Sequence, residues 1–117
     1  MAETEQAEAV RLSTRVNLIF AGEERAFQLP LARMRALEEK RGAGPMHLLR
    51  RFSNGDWTTD DLRETIFQGL QGGGMDSAQA ARLLKSDFDD LPYQQFLGVA
   101  QTIIAAAVVG VPEKVEA

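Results

Sequence analysis

The closing segment of the chain, which is almost entirely apolar, constrains the possible folds most strongly. Between Phe96 and Pro112 the only polar side chains are Gln101 and Thr102. The pattern predicts a final helix from about Pro92 to Val109. An apolar run of this length falls short of the roughly 20 residues that a membrane span needs, and no basic pair flanks it. Since the helix is apolar on every side over residues 103–109, it has to be covered on every side.

Two explanations for that cover are open. The helix is either the centre of the monomer, as in many small helical domains, or it is covered in part by another copy or a partner. The second explanation follows from size, because 117 residues leave little material to enclose a full helix. It gives these interface candidates, with the tryptophan as a secondary one: Phe96, Val99, Ile103, Ile104, Val108 and Trp57.

Residues 15–29 are predicted to form a β-hairpin. The run from Arg15 to Phe20 alternates, and Gly22-Glu23 can form a two-residue turn. Pairing Leu18 with Phe27 in this register collects the apolar side chains on one face. That face carries Val16, Leu18, Phe20, Phe27 and Leu29. Two strands alone are marginal in water, so we expect the face to pack on helices or on another chain.

About five helices are predicted after the hairpin. Pro30 and Pro45 suit the starts of the first two, and Thr58 and Asp76 suit N-caps of the next two. The expected fold class is therefore α+β and mostly helical, an N-terminal β-hairpin followed by about five helices. We expect a flexible acidic arm over residues 1–13, a single domain over 14–112 and a flexible tail over 113–117.

Composition excludes several classes of function. The net charge is −4, and three glutamates in the first ten residues supply most of it, so the chain lacks the basic surface of a nucleic-acid-binding protein. Without cysteine, disulfide scaffolds, zinc ribbons and thiol nucleophiles are excluded. A single histidine, His47, excludes multi-histidine metal sites. No leader is visible, which predicts a cytoplasmic location.

Glycines and aspartates form two motifs that superficially suggest ligand sites. Gly72-Gly73-Gly74 follows a helix, whereas a phosphate loop follows a strand and leads into a helix, so a reversal between helices is predicted. Residues 87–90 contain three aspartates, but a calcium loop starting at Asp87 would need glycine and glutamate where Pro92 and Gly98 stand. Solvated carboxylates and a helix N-cap are the interpretation we adopt.

The remaining polar groups offer no catalytic arrangement. Asp60 and Asp61 suit the first turn of a helix, and no basic cluster is expected beside them. His47 is interpreted as a partly buried or surface histidine, and the pair Arg50-Arg51 as a solvated face. We predict no catalytic, cofactor or metal site, and the chain is not expected to be an enzyme.

An ordered set of motifs resembles a known family. The set comprises, in chain order, the hairpin with Gly22-Glu23, Leu37-Glu38-Glu39 closing at Gly42-Ala43-Gly44, Phe52-Ser53-Asn54-Gly55-Asp56-Trp57, Thr59-Asp60-Asp61-Leu62, Gly69-Leu70-Gln71-Gly72-Gly73-Gly74, Ala78 to Leu84 and the alanine-rich closing helix. Over about residues 14–112, the chain resembles the small tail protein of gene transfer agents and related prophages. That family is described both as a tail assembly chaperone and as a tail tube protein.

The resemblance implies a non-enzymatic role in building a phage-type tail within the bacterial host cell. As a tail assembly chaperone, the protein would bind the apolar, helical tape-measure protein and the tube protein, and it could form homo-oligomers. The alternative, a structural tube subunit, would be expected to be rich in β-strands, and only two strands are predicted. A small ligand-binding or regulatory domain is the third hypothesis, and it would require a deep pocket with convergent polar groups.

Overall fold

The computed structural model describes residues 11–113 and has a mostly helical α+β fold. The predicted hairpin and five helices are confirmed. In chain order the elements are β1 (Leu12–Ser13), β2 (Arg15–Phe20), β3 (Glu23–Gln28), α1 (Leu31–Arg41), α2 (Pro45–Asn54), α3 (Thr59–Gly72), α4 (Ser77–Asp87), a 3₁₀ turn (Tyr93–Phe96), α5 (Leu97–Val108) and β4 (Val111–Pro112). Most of the predicted acidic arm, residues 1–10, and most of the predicted tail, residues 114–117, lie outside the described residues.

The hairpin turn lies one residue earlier than predicted. Phe20 pairs with Glu23, so the two loop residues are Ala21 and Gly22. Both have positive φ, 56° and 80°, as a type I′ turn requires. Phe27 therefore pairs with Val16 and not with Leu18 as predicted. Because this register differs by two positions and side chains alternate with a period of two, the predicted apolar face is unchanged.

Helix α3 lies at the centre of the fold, where it packs against α1, α4, α5 and β3. Its start is fixed by a capping box, in which the Asp61 N–H donates to Thr58 Oγ1 and the Thr58 N–H donates to Asp61 Oδ2. Leu62, Ile66 and Leu70 on this helix are fully buried. The sequence allowed α5 to be the central helix, but the structure gives that position to α3.

A row of aromatic rings joins the hairpin to the C-terminal half of the chain. Phe20 lies 6.2 Å from Phe27 and 5.8 Å from Phe96 between ring centroids. Phe96 in turn lies 4.7 Å from Phe88. All four rings are buried, so the hairpin face that the sequence left without a partner is covered by helices of its own chain.

A second, two-residue ladder was not predicted. Leu12–Ser13, assigned by the sequence to the flexible arm, pairs antiparallel with Val111–Pro112 beyond α5. The Glu113 N–H extends the contact by donating to the Arg11 carbonyl at 2.8 Å. Strands of two residues carry no alternating pattern, and one of these contains proline, so no sequence pattern indicates them.

Candidate interaction surface

Helix α5 has one covered side and one open side. Ala100, Ile103, Ile104 and Ala106 are buried, and the helix packs against α2, α3, β2 and β3. Gly98, Thr102 and Val108 are exposed. The Thr102 hydroxyl donates to the Gly98 carbonyl at 2.8 Å, so this threonine is accommodated without a partner outside the helix. The helix is therefore not enclosed on all sides by the described part of the chain.

The six predicted interface residues separate into three groups. Phe96, Ile103 and Ile104 are at most 6% exposed. Val99 and Trp57 are half-buried and pack against the core. Val108 is 41% exposed. An interface role stays a prediction for all six residues. For Phe96, Ile103 and Ile104 it requires that the 3₁₀ turn and α5 move out of the core.

A shallow groove lies on the open side of α5 near its C-terminal end. Its volume is about 330 Å³, and we call it the terminal groove. The residues that line it are Gln101, Thr102, Ala105, Ala106, Val109, Gly110 and Val111. Val109 is 69% exposed, and Leu12 of β1, which is also exposed, packs against Gly110. Apart from Gln101 and Thr102, the groove is thus lined by small and aliphatic residues, of which Val109 is exposed, and exposed Leu12 lies beside it.

The structure buries one carboxylate that the sequence analysis placed in an ordinary first turn. Asp61 is 0% exposed, and its Oδ1 accepts from Arg41 Nε at 2.8 Å and from Arg51 Nη1 at 2.9 Å. Arg51 therefore does not belong to a solvated face, and a basic pair does accompany the acid. The two arginines come from α1 and α2, so this cluster ties three helices together.

The environment of Asp61 favours its charged form. Burial would raise the pKa of its carboxyl group, but the Thr58 N–H, the Arg41 hydrogen bond and the two arginine charges outweigh burial and lower the pKa. Both carboxylate oxygens are occupied by these internal donors. A group that is ionised and fully engaged in this way is placed to hold the helices, not to transfer protons.

Asp89, in the stretch of three aspartates, is also engaged inside the protein. Arg63 of α3 donates to both of its oxygens, at 2.7 and 3.2 Å. The hydrogen bond to Asp89 raises the pKa of Arg63. The expectation of purely solvated carboxylates is therefore wrong for Asp89, whereas Asp76 caps α4 as predicted by accepting from the Gln79 N–H.

The glycine triplet packs against the hairpin. A Cβ atom on Gly72 would overlap the Gln28 carbonyl oxygen, and one on Gly73 would overlap the Ala26 carbonyl oxygen. Both glycines are thus needed for the close approach of α3 to β3. These carbonyl oxygens, packed against the glycines, would repel a phosphate group. The triplet connects α3 to α4, as the predicted reversal between helices requires.

Within residues 11–113, no group of three or more acidic or histidine side chains could hold a metal ion. His47 is exposed on α2. In the same part of the chain, none of the helices combines the length and the apolar character that crossing a bilayer requires.

These observations define a small, mostly helical α+β domain whose polar clusters hold its own helices and whose α5 leaves Val108 exposed on its open side. A family model described as phage tail tube protein, GTA-gp10, matches residues 13–110. The chain belongs to this family, which confirms the resemblance to gene transfer agent tail proteins. Neither the curated proteins nor the solved structures gave a match. The family places the protein in the building of phage-type tails, a structural role.

Proposed function

We propose that this protein is a tail assembly chaperone that binds helical segments of other tail proteins, above all the tape-measure protein. The observation that carries the proposal is the terminal groove on α5. Ala105 and Ala106 in its lining have small side chains that let a helix approach closely, and Val109 in the lining and Leu12 beside Gly110 are exposed. An amphipathic helix binds such a groove through its apolar side chains.

The secondary structure also supports the chaperone over the tube subunit. Within residues 11–113, the strands form only two ladders of two strands each, whereas a tube wall built from joined sheets would need more strands per copy. The helices, by contrast, account for most of the described chain. The tube subunit remains the second candidate, because the family description names it.

Co-expression with a tape-measure protein of a gene transfer agent tail tests the proposal directly. We expect the tape-measure protein to stay soluble and to copurify with this chain. Val109→Asp should abolish copurification, since a charge in the groove would have to be desolvated against an apolar helix. Leu31→Asp is the matched control, because Leu31 is 63% exposed and Val109 is 69% exposed, and Leu31 begins α1 outside the groove.

Three outcomes would contradict the proposal. These are an insoluble tape-measure protein without complex formation, copurification that survives Val109→Asp, and equal loss with both variants. Purified particles separate the two candidate functions. A chaperone should be absent from finished particles, whereas a tube subunit should be present in the stoichiometry of the tube.

A further inference from the structure

The β1–β4 ladder joins the two ends of the described chain. The Glu113 N–H extends it by donating to the Arg11 carbonyl at 2.8 Å, and we call residues 11–13 and 111–113 together the terminal clasp. Almost all of the clasp lies outside residues 13–110, which the family model matches. Membership of the family therefore assigns no role to this part of the molecule.

The hydrogen bonds of the clasp accommodate the proline in β4. In an antiparallel ladder, pairs that exchange hydrogen bonds alternate with pairs that do not. The bond at the outer end of the clasp makes Ser13 and Val111 the next exchanging pair. Pro112 then lies opposite Leu12 in a pair that exchanges none, so its missing N–H costs the ladder nothing.

The clasp forms one end of the terminal groove. Val111 pairs with β1 and also lines the groove next to Gly110. A Cβ atom on Gly110 would lie only 3.0 Å from the Cβ of Leu12, so Leu12 packs directly on the backbone that follows α5. Within residues 11–113, β4 pairs with no strand other than β1. The position of the end of the groove therefore depends on β1.

The clasp has little support from the rest of the fold. A groove of about 490 Å³ lies between β4 and β2. The Arg11 and Glu113 side chains are 3.7 Å apart and largely exposed. A two-residue ladder with such exposed surroundings belongs to the least stable part of a fold. Closure of the clasp consequently depends on the contact between Leu12 and Gly110.

Leu12 is also placed to contact a helix in the groove. Thr102, Ala105 and Val109 line the groove at intervals of three and four residues, so they form one stripe along α5. The clasp lies at the C-terminal end of this stripe, and Leu12 is 65% exposed there. A helix that lies along the stripe meets the Leu12 side chain at its end.

We propose that the terminal clasp regulates partner binding in the terminal groove. In the closed clasp, Gly110 and Val111 complete the groove and Leu12 adds an apolar contact to the bound helix. When the clasp opens, both contributions are lost and the affinity for the helix falls. The occupant, an amphipathic helix of the tape-measure protein, rests on the proposed function, but closure of the clasp is measured without any partner.

Amide hydrogen exchange of the full chain measures closure. Gly110→Ala places a methyl group against Leu12 and should open the clasp. Exchange at Val111 and Glu113 should then accelerate at least about tenfold, as the loss of one or two backbone hydrogen bonds implies. Gly55→Ala is the matched control. Both glycines follow a helix with positive φ, 89° and 79°, but a Cβ at Gly55 meets open space.

Unchanged exchange in Gly110→Ala would overturn the proposal, as would the same acceleration at Val111 and Glu113 in Gly55→Ala. If Gly110→Ala loses the partner without faster exchange, its methyl group obstructs the groove directly, and the clasp does not regulate binding.

Copurification with the tape-measure protein measures the effect on binding. Leu12→Asp and Gly110→Ala should each lower the copurified amount at least about tenfold, because an apolar contact is lost in both. Leu12→Met should retain binding. Leu31→Asp is the control for exposure, since Leu31 is 63% exposed and Leu12 is 65% exposed. If both clasp variants bind like the parent chain, this inference fails and the proposed function stands. If the parent chain does not bind, the proposed function fails and the role of the clasp in binding fails with it.

A reversible staple distinguishes a clasp that must stay closed from one that must open. In a pair without hydrogen bonds the Cα atoms lie about 4.5 Å apart, which a disulfide can bridge, and the chain has no cysteine of its own. The double variant Leu12→Cys/Pro112→Cys lacks the leucine contact, so its clasp should open when reduced. The oxidised form should copurify about tenfold more tape-measure protein than the reduced form. Equal amounts, or more in the reduced form, would overturn the proposal.

Discussion

Gly72 of α3 lies directly on the carbonyl group of Gln28 in β3, with no room for a Cβ atom between them. The contact joins the central helix to the covered edge of the hairpin. It also explains a glycine at the end of a helix that already has Gly73 as its C-cap. What the sequence presented as a triplet of helix-ending glycines is in part a packing requirement of the tertiary structure.

Gly72→Ala is expected to destabilise the protein by about 3 kcal/mol, because the obstacle is backbone and cannot rotate away. Urea denaturation gives the free energy of unfolding. Gly98→Ala is the control, since a Cβ at Gly98 in α5 would meet open space. That variant should be unchanged or more stable by up to about 1 kcal/mol, as alanine favours helix over glycine. Equal effects at the two glycines would contradict the packing argument.

The second prediction concerns pH. Because the pKa of Asp61 is lowered below its ordinary value of 3.8 in the folded protein, Asp61 stabilises the fold above that value. The contribution is lost as the pH falls through the lowered pKa. Asp61→Asn should therefore flatten the fall in unfolding free energy below about pH 4.

At neutral pH, Asp61→Asn should cost about 3 kcal/mol or more, since it leaves Arg41 and Arg51 without their shared anion. Asp60→Asn tests the neighbouring exposed carboxylate of the same first turn. It should cost less than about 1 kcal/mol and keep the acid dependence. Parallel pH profiles for the two variants would show that the buried ion pairs do not carry the effect.

The third prediction concerns the Arg63–Asp89 pair. Both side chains are about one-third exposed, at 34% and 35%, so solvent screening limits the interaction. A double-mutant cycle with Arg63→Gln and Asp89→Asn should give a coupling energy of about 1 kcal/mol, and added salt should reduce it. Arg11 and Glu113, at 3.7 Å and largely exposed, form the comparison pair and should show no measurable coupling. A coupling that salt leaves unchanged would contradict this assignment.

The local features of the fold could be read from the sequence because their causes lie within a few residues. Alternation fixed the inner face of the hairpin, and capping residues such as Thr58 and Asp76 marked helix starts that the structure confirms. The predicted turn lies one residue too late, because Ala21-Gly22 and Gly22-Glu23 can both form a two-residue loop. The alternating pattern cannot distinguish registers that differ by two.

The tertiary features could not be read in this way. Asp61 is bound by arginines that precede it by 20 and 10 residues, and only the packing of three helices brings them together. The apolar closing segment likewise did not reveal which of its sides the chain would cover. The number of apolar residues in a helix indicates how much apolar surface has to be buried. Which of these side chains are buried depends on the elements that pack against the helix.

The last prediction tests that division of α5 into a covered and an open side. Ile104 is 0% exposed and Val108, four residues on, is 41% exposed. Ile104→Asp should cost about 4 kcal/mol or more, because it places a charge among apolar side chains without a partner. Val108→Asp should cost about 1 kcal/mol or less, since its carboxylate reaches water and opposes only the helix dipole. Thermal and urea unfolding of both variants measure the contrast. If Ile104→Asp unfolds like the parent chain, Ile104 does not lie in the core, and the open side of α5 has been assigned to the wrong face of the helix.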